Sequence, residues 1–148
     1  DVETVKYLIW KPHQNIEETR TFLGLCIQNW QDGSAFPYAI VLKENNQLIG
    51  MLELRIQGHQ SNLGYVLAKA FWGSGLMSEA VSAVVAWALA QPSIFRVSAT
   101  CDVENVASAR VLEKAGMKRE GVFYRHTLHP NISPEPRDVF GYAIVKRN

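Results

Sequence analysis

Three features of this 148-residue sequence predict an α/β fold of the α+β kind, with a central sheet of mixed strand direction. The first is a strand pair, residues 38–42 and 48–56, joined by the turn-forming run Glu44-Asn45-Asn46-Gln47. The second is a helix face. Met77, Ala80, Val81, Val84, Val85, Ala88 and Leu89 recur at helical spacing, and Gln91-Pro92 stops the helix, since proline supplies no amide for another turn. The third is the element order: helix, three strands, helix, strand, helix, two strands. That order mixes hairpins with a crossover and so gives a sheet that is neither all parallel nor all antiparallel.

Each element has a local cause. Residues 1–10 mix polar and apolar types and read as the end of an element, followed by the break Lys11-Pro12-His13. Asn15 and Glu18 have the spacing of a helix cap, the Asn side chain serving amides of the first turn. Ile16, Thr19, Leu23, Cys26, Ile27 and Trp30 then predict one amphipathic helix, closed by Asp32-Gly33-Ser34. After the strand pair come a turn at 58–62 and a third strand at 63–67. Residues 96–101 form a fourth strand and 108–115 a short helix, ended by Gly116 with Met117 as the hydrophobic residue after the cap. Residues 118–124 and 139–145 are the last strands. His129-Pro130 and Pro134-Glu135-Pro136 make the segment between them irregular. With no repeat, linker or low-complexity stretch, residues 1–148 read as one domain.

Composition narrows the function. Hydrophobic residues make up 47% and charged residues 20%, enough apolar surface for a core. A formal net charge of +1 gives no strong attraction to nucleic acid or anionic membrane, so neither is expected as a partner. No apolar run approaches the ~20 residues that span a bilayer. Two cysteines, Cys26 and Cys101, are too few for a disulfide framework, and a reducing cytoplasm is the expected compartment.

The segment from Trp72 through Gly73, Ser74, Gly75, Leu76 and Met77 to Ser78 lies between the third strand and the clearest helix. A phosphate site needs bare amides converging ahead of a helix whose dipole favours negative charge. Gly73 and Gly75 allow the chain to curl, and the Ser78 hydroxyl adds a donor. A P-loop would require Lys after Gly75, and a dinucleotide fingerprint a third Gly where Ser78 stands; neither is present. By itself the spacing fits a tight turn before a helix equally well.

Three ordered blocks change that balance. The first runs from Phe71-Trp72-Gly73-Ser74-Gly75 into Ser78-Glu79-Ala80, like a "WGxGxxxEA" signature. The second is the run from Asn105 to Met117, like "NxxSxxVLEKxGF". The third is Arg119-Glu120-Gly121 with Asp138 and Tyr142 after it. In these blocks, about the second half of the chain, the sequence resembles the GCN5-related N-acetyltransferases (GNAT), specifically their RimJ/RimL-like, ribosomal-protein-alanine branch. The resemblance implies a mostly antiparallel central sheet flanked by helices and a direct attack of a primary amine on acetyl-CoA. The acceptor it implies is a protein N-terminal α-amine or a small-molecule amine, and a homodimer is a common assembly. The family carries a further strand and helix start ahead of Asp1, so the chain is expected to be a shortened piece lacking the N-terminal strand. Positions that depart from the wider pattern include Trp72, Met77, expected to narrow the loop, and Met117, where the pattern has Phe.

Acetyl transfer from a thioester requires a deprotonated amine, a donor for the developing oxyanion and a proton for the departing thiolate. By resemblance, the amide of Val66 or Leu67 meets the acetyl oxygen, the loop holds the pyrophosphate, and Asn105 and Lys114 also contact the cofactor. Many relatives protonate the thiolate with a Tyr seven residues after the Asn, but Leu112 stands there; the branch offers Ser108 instead. Asn105 is equally suited to cap a helix, and Ser108 to sit in a first helical turn. Glu53, alternating with apolar Leu52 and Leu54, is either the general base working through water or a solvent-facing strand residue. Tyr65 and Tyr124 either orient substrate or pack. His126 and His129 lack a third ligand at metal-binding spacing, so no metal is expected, and His126 with the Pro-rich loop is read as lining the substrate mouth. A non-catalytic acyl-CoA-sensing module is the alternative from another class, and a plain phosphate-binding domain is a third.

Overall fold

The computed structural model describes residues 1–148. In chain order the elements are α1 (Val2–Val5), α2 (Ile16–Asp32), β1 (Ala35–Val41), β2 (Leu48–Gln57), β3 (Gln60–Leu67), a 3-10 turn (Lys69–Phe71), α3 (Leu76–Ala90), β4 (Arg96–Asp102), α4 (Val106–Lys114), β5 (Lys118–Thr127) and β6 (Arg137–Val145). The six strands form one sheet in the order β1-β2-β3-β4-β6-β5. Every pairing is antiparallel except β3 with β4, the two strands joined by the α3 crossover. The expected mixed, mostly antiparallel sheet is therefore present, and β1 is the first strand of the chain.

Caps and left-handed residues set the boundaries where the sequence places them. Asn15 accepts from the Glu18 amide at 3.0 Å, and Gly33 ends α2 at φ 72°. Gly116, at φ 85°, ends the turn after α4 and drops Met117 into the core. Several elements are longer than their periodicity suggests. α4 begins at Val106 because Asn105 caps it, accepting from the Ser108 amide at 3.2 Å. β5 runs to Thr127 through a register shift at Arg125, where φ is 46°. Asp138 holds that irregularity by accepting from the Arg125 amide at 2.8 Å.

The two faces of the sheet differ. On one, Leu52, Leu54, Leu63, Val97, Ala99 and Tyr142 pack against α3 and α4 through Met77, Val81, Val85, Ala88 and Leu112. On the other, α2 covers mainly β1: the Trp30 ring meets Phe36 and Tyr38 edge-on at 4.8 and 5.2 Å, and its indole donates to the Pro37 carbonyl at 2.7 Å. The periodicity of α2 predicts a buried face, but none of its residues is buried, and Leu23 stays 47% exposed. An edge strand is too narrow to cover the stripe. No helix is long and apolar enough to cross a membrane.

Candidate functional site

Gly73 and Gly75 adopt left-handed φ of 76° and 80°, which bend the chain into α3. The amides of residues 73 through 78 have no acceptor within the chain, and no side chain caps the helix. Unbonded amides at the start of a 15-residue helix concentrate positive potential, as an anion site requires. Two bonds brace the curl from outside: the Trp72 indole donates to the Leu67 carbonyl at 2.7 Å, and the Ser74 hydroxyl to the Phe71 carbonyl at 2.7 Å. Leu76 and Ser78 are half-buried in the first turn. Met77 departs from its expected effect. Its side chain is buried in the α3 core, so it does not narrow the loop and presents only its amide.

β3 and β4 pair only over Gln60–Arg96, Ser61–Val97 and Asn62–Ser98. Beyond that the strands part, leaving a wedge between residues 63–67 and 99–102. The Ala68 amide bonds back to Ile49 on β2 at 2.8 Å. Backbone groups alternate sides along a strand, so Val66 turns its amide to β2 and Leu67 turns its amide to the wedge. Of the two expected oxyanion donors, Leu67 has the exposed edge position.

Ser108 stands across the wedge in the first turn of α4, its hydroxyl 2.6 Å from the Tyr65 hydroxyl on β3. Leu112, one turn later on the same helix face, is fully buried in the core. A proton donor at either position would face the sheet, which explains how a hydroxyl can stand one turn before the position Leu112 fills. Burial holds the Tyr65 phenol well above its ordinary range, against the opposing bond to Ser108. The Cys101 thiol beside this pair is likewise pushed up by burial, to about 11.

At the open end of the wedge Asp102 is fully buried and gripped by Arg137, with Nε to Oδ2 at 2.6 Å and Nη2 to Oδ1 at 3.0 Å. Burial raises the Asp102 pKa, but the hydrogen bonds from Arg137 and the Glu104 amide outweigh it and hold the carboxyl below its ordinary value. Arg137 also reaches Glu104 at 2.7 Å. His129, buried, lies 3.8 Å from Asp102, and both its ring nitrogens lack partners. Asn131 donates to the carbonyls of Val5 and Trp10 at 2.8 and 2.9 Å, tying the β5–β6 loop to the N-terminal segment.

The other expected residues separate. Glu53 faces the α2 side of the sheet, opposite Leu52 and Leu54, with Arg55 at 3.6 Å. Its cross-strand partner is Gly64, over which the Arg55 guanidinium lies on its way to Asn62 at 2.8 Å, so Arg55 sits beside Glu53 on that face of the sheet. Lys114 is exposed at the end of α4, and its side chain pairs with no other side chain of the protein. His126 is exposed and lines a cleft of about 240 Å³ on the same α2 side, with Asn62, Ser98, Thr100 and Phe123. The third sequence block proves structural: Tyr142 accepts from Arg119 at 2.9 Å and donates to Glu113 at 2.8 Å, fastening α4 to β5 and β6. Asp102 and Arg137 were not singled out by sequence, and His129 was weighed there only as a metal ligand; the only local hint to the pair was a charged residue at the end of an apolar strand.

Residues 1–118 match the acetyltransferase (GNAT) domain model. An N-acetyltransferase p20 of Bacillus licheniformis is 23% identical over 99% of this chain and 83% of its own length. A GNAT-family acetyltransferase structure from Bacillus anthracis is 28% identical, covers 100% of this chain and 84% of its own, and superposes with a TM-score of 0.85. The RimL ribosomal L7/L12 α-N-protein acetyltransferase, solved with coenzyme A, is 27% identical over 89% of this chain and 73% of its own, with a TM-score of 0.81. With the curled loop, the wedge and a family model spanning most of its length, the chain belongs to the GNAT acetyltransferase family.

Proposed function

We propose that the protein transfers the acetyl group of acetyl-CoA to a primary amine, with a protein N-terminal α-amine as the favoured acceptor. The observation that carries this is the line of unbonded amides at residues 73–78, which opens onto the unpaired edge of β3 and ends at Ser108. The donor set fits coenzyme A: amides and a helix dipole suit a pyrophosphate, and an unpaired strand edge suits an amide-bearing arm. Acetyl-CoA supplies an activated acyl carbon with a thiolate leaving group.

Within that frame each residue has a task. The loop amides and the Ser78 hydroxyl bind the pyrophosphate. Asn105 fixes the start of α4, and so the place of Ser108. The Leu67 amide donates to the acetyl oxygen as charge builds there. Ser108 gives a proton to the departing sulfur. Glu53, on the opposite face of the sheet, takes the amine proton through water. Placing these two on opposite faces keeps amine entry apart from thiol departure. The similarity to RimL favours a protein N-terminus over a small amine.

Calorimetric titration with acetyl-CoA tests the reading. Binding by the wild type and loss of binding in Gly75→Val are expected, because valine is strained at φ 80° and the amides would no longer converge. No heat from folded wild-type protein would overturn it. Thiol release with peptide N-termini, polyamines and aminoglycosides then ranks the acceptors. Binding without turnover on any amine would instead favour the sensing module.

A further inference from the structure

Ser108 is not held by its helix alone. Tyr65, 43 residues earlier and on the other side of the wedge, brings its hydroxyl to 2.6 Å from Ser108 Oγ, at the short end of O–H···O distances. The same phenol lies 3.3 Å from the Ser108 backbone carbonyl, too long to compete as its main acceptor. The hydrogen between the two hydroxyls can belong to either oxygen, and the choice decides whether Ser108 can act. If Ser108 donates to Tyr65, its hydrogen is bound away from the wedge. If Tyr65 donates to Ser108, the Ser108 hydrogen is left to rotate toward the cofactor sulfur.

We infer that Tyr65 is the donor and serves as a positioning residue for Ser108. Three points support this inference, which itself rests on the proposed acetyl-transfer reading. A phenol is a stronger acid than an alkanol and therefore the better donor. The other acceptor in reach, the Ser108 carbonyl at 3.3 Å, is the longer contact by far, so donation to Ser108 Oγ at 2.6 Å is what best satisfies a polar group that is largely out of water. β3 and β4 also do not pair at this level, so the bond is a polar link across a gap that the sheet leaves open. Tyr65 thus orients Ser108 and stabilises the charge that grows on Oγ as it gives up its hydrogen. The proton balance closes: as the C–S bond breaks, its electron pair goes to sulfur and sulfur takes the Ser108 hydrogen. Oγ is then reprotonated through Tyr65, with the proton that the acylated nitrogen must lose making up the difference through solvent.

The test is a double-mutant cycle of Tyr65→Phe and Ser108→Ala, read on turnover, on acetyl-CoA titration and on thermal unfolding of the protein alone. Phenylalanine keeps the ring and its packing, so the fold should survive. Tyr65→Phe is expected to lower kcat by about 10- to 100-fold, up to the lower end of the ~100- to 10,000-fold range for a group that itself transfers the proton, with KM for acetyl-CoA changed little. In the Ser108→Ala background the same substitution should have almost no further effect, on kcat or on melting temperature, because the shared bond is already gone. Ser108→Thr, which keeps the hydroxyl, should retain turnover only while Tyr65 is present. Unchanged or raised kcat in Tyr65→Phe would overturn the inference, since it would mean that Ser108 had been the donor. Fully additive losses would overturn it as well. If instead wild-type protein fails to bind acetyl-CoA, the acetyl-transfer reading falls and this inference with it. The two failures are therefore told apart by the titration.

Discussion

Gly50 lies on β2 opposite Leu67, and it is the position where a single methyl group would most directly disturb the wedge. A Cβ there would fall well within contact distance of the Val66 carbonyl oxygen and 3.2 Å from the Leu67 Cα. Both neighbours are backbone, so no rotamer change relieves the overlap. A carbon keeps about 3.3 Å from a carbonyl oxygen, so in Gly50→Ala β3 must retreat from β2 by about 1 Å. That strand carries Tyr65 and the Leu67 amide, and it moves toward the space the pantetheine arm would occupy. Overpacking of this kind costs about 1–3 kcal/mol. For a chain of this size that is a fall in melting temperature of roughly 2–12 °C. A shift of ~1 Å in a reacting group can lower turnover by up to ~100-fold. Thermal unfolding, acetyl-CoA titration and steady-state thiol release would be run on Gly50→Ala beside Gly24→Ala. Gly24 sits inside α2 with nothing near its virtual Cβ, so alanine there should stabilise by about 0.5–1 kcal/mol. A Gly50→Ala protein that melts within about 1 °C of wild type and turns over normally would refute the reasoning.

Two further outcomes follow from the buried polar groups. Arg137→Met strands the buried Asp102 carboxylate and should destabilise by about 3–5 kcal/mol at pH 7. The folded Asp102 pKa is depressed, so the stability it contributes is present above the ordinary Asp value near ~3.9 and is lost as pH falls through the folded value. Chemical denaturation across pH should therefore show the wild-type advantage over Arg137→Met shrinking below about pH 4; a constant gap would contradict the assignment. Cys101, buried and raised to about 11, should resist thiol reagents at pH 8 until the protein unfolds, while the half-exposed Cys26 labels first. Equal rates for both thiols would be inconsistent with the site described.

What could be read from the sequence was whatever is fixed by neighbours along the chain. Left-handed glycines at 73, 75 and 116, the Asn15 and Asn105 caps, and the apolar face of α3 depend on residues a few positions apart. So do the three blocks that carried the family resemblance. Met77 shows the boundary of that logic: its presence in the loop was legible, but whether its side chain entered the loop or the core was decided by the sheet beneath it. α2 shows it again, since periodicity marks an apolar stripe but cannot supply a surface to cover it.

The tertiary structure decided what depends on pairs distant in sequence. Tyr65 meets Ser108 across 43 residues, and Arg137 meets Asp102 across 35. A hydroxyl or carboxylate has no periodicity, so nothing local announces its partner. The wedge itself arises because β3 and β4 share only three paired positions before they diverge. Such divergence follows from how α3 and α4 pack beneath the sheet, a sum over many contacts. The chain alone therefore determined the curl of glycines at the start of α3 and the blocks that carry the family resemblance. Only the folded sheet determined which amide and which hydroxyls face the wedge.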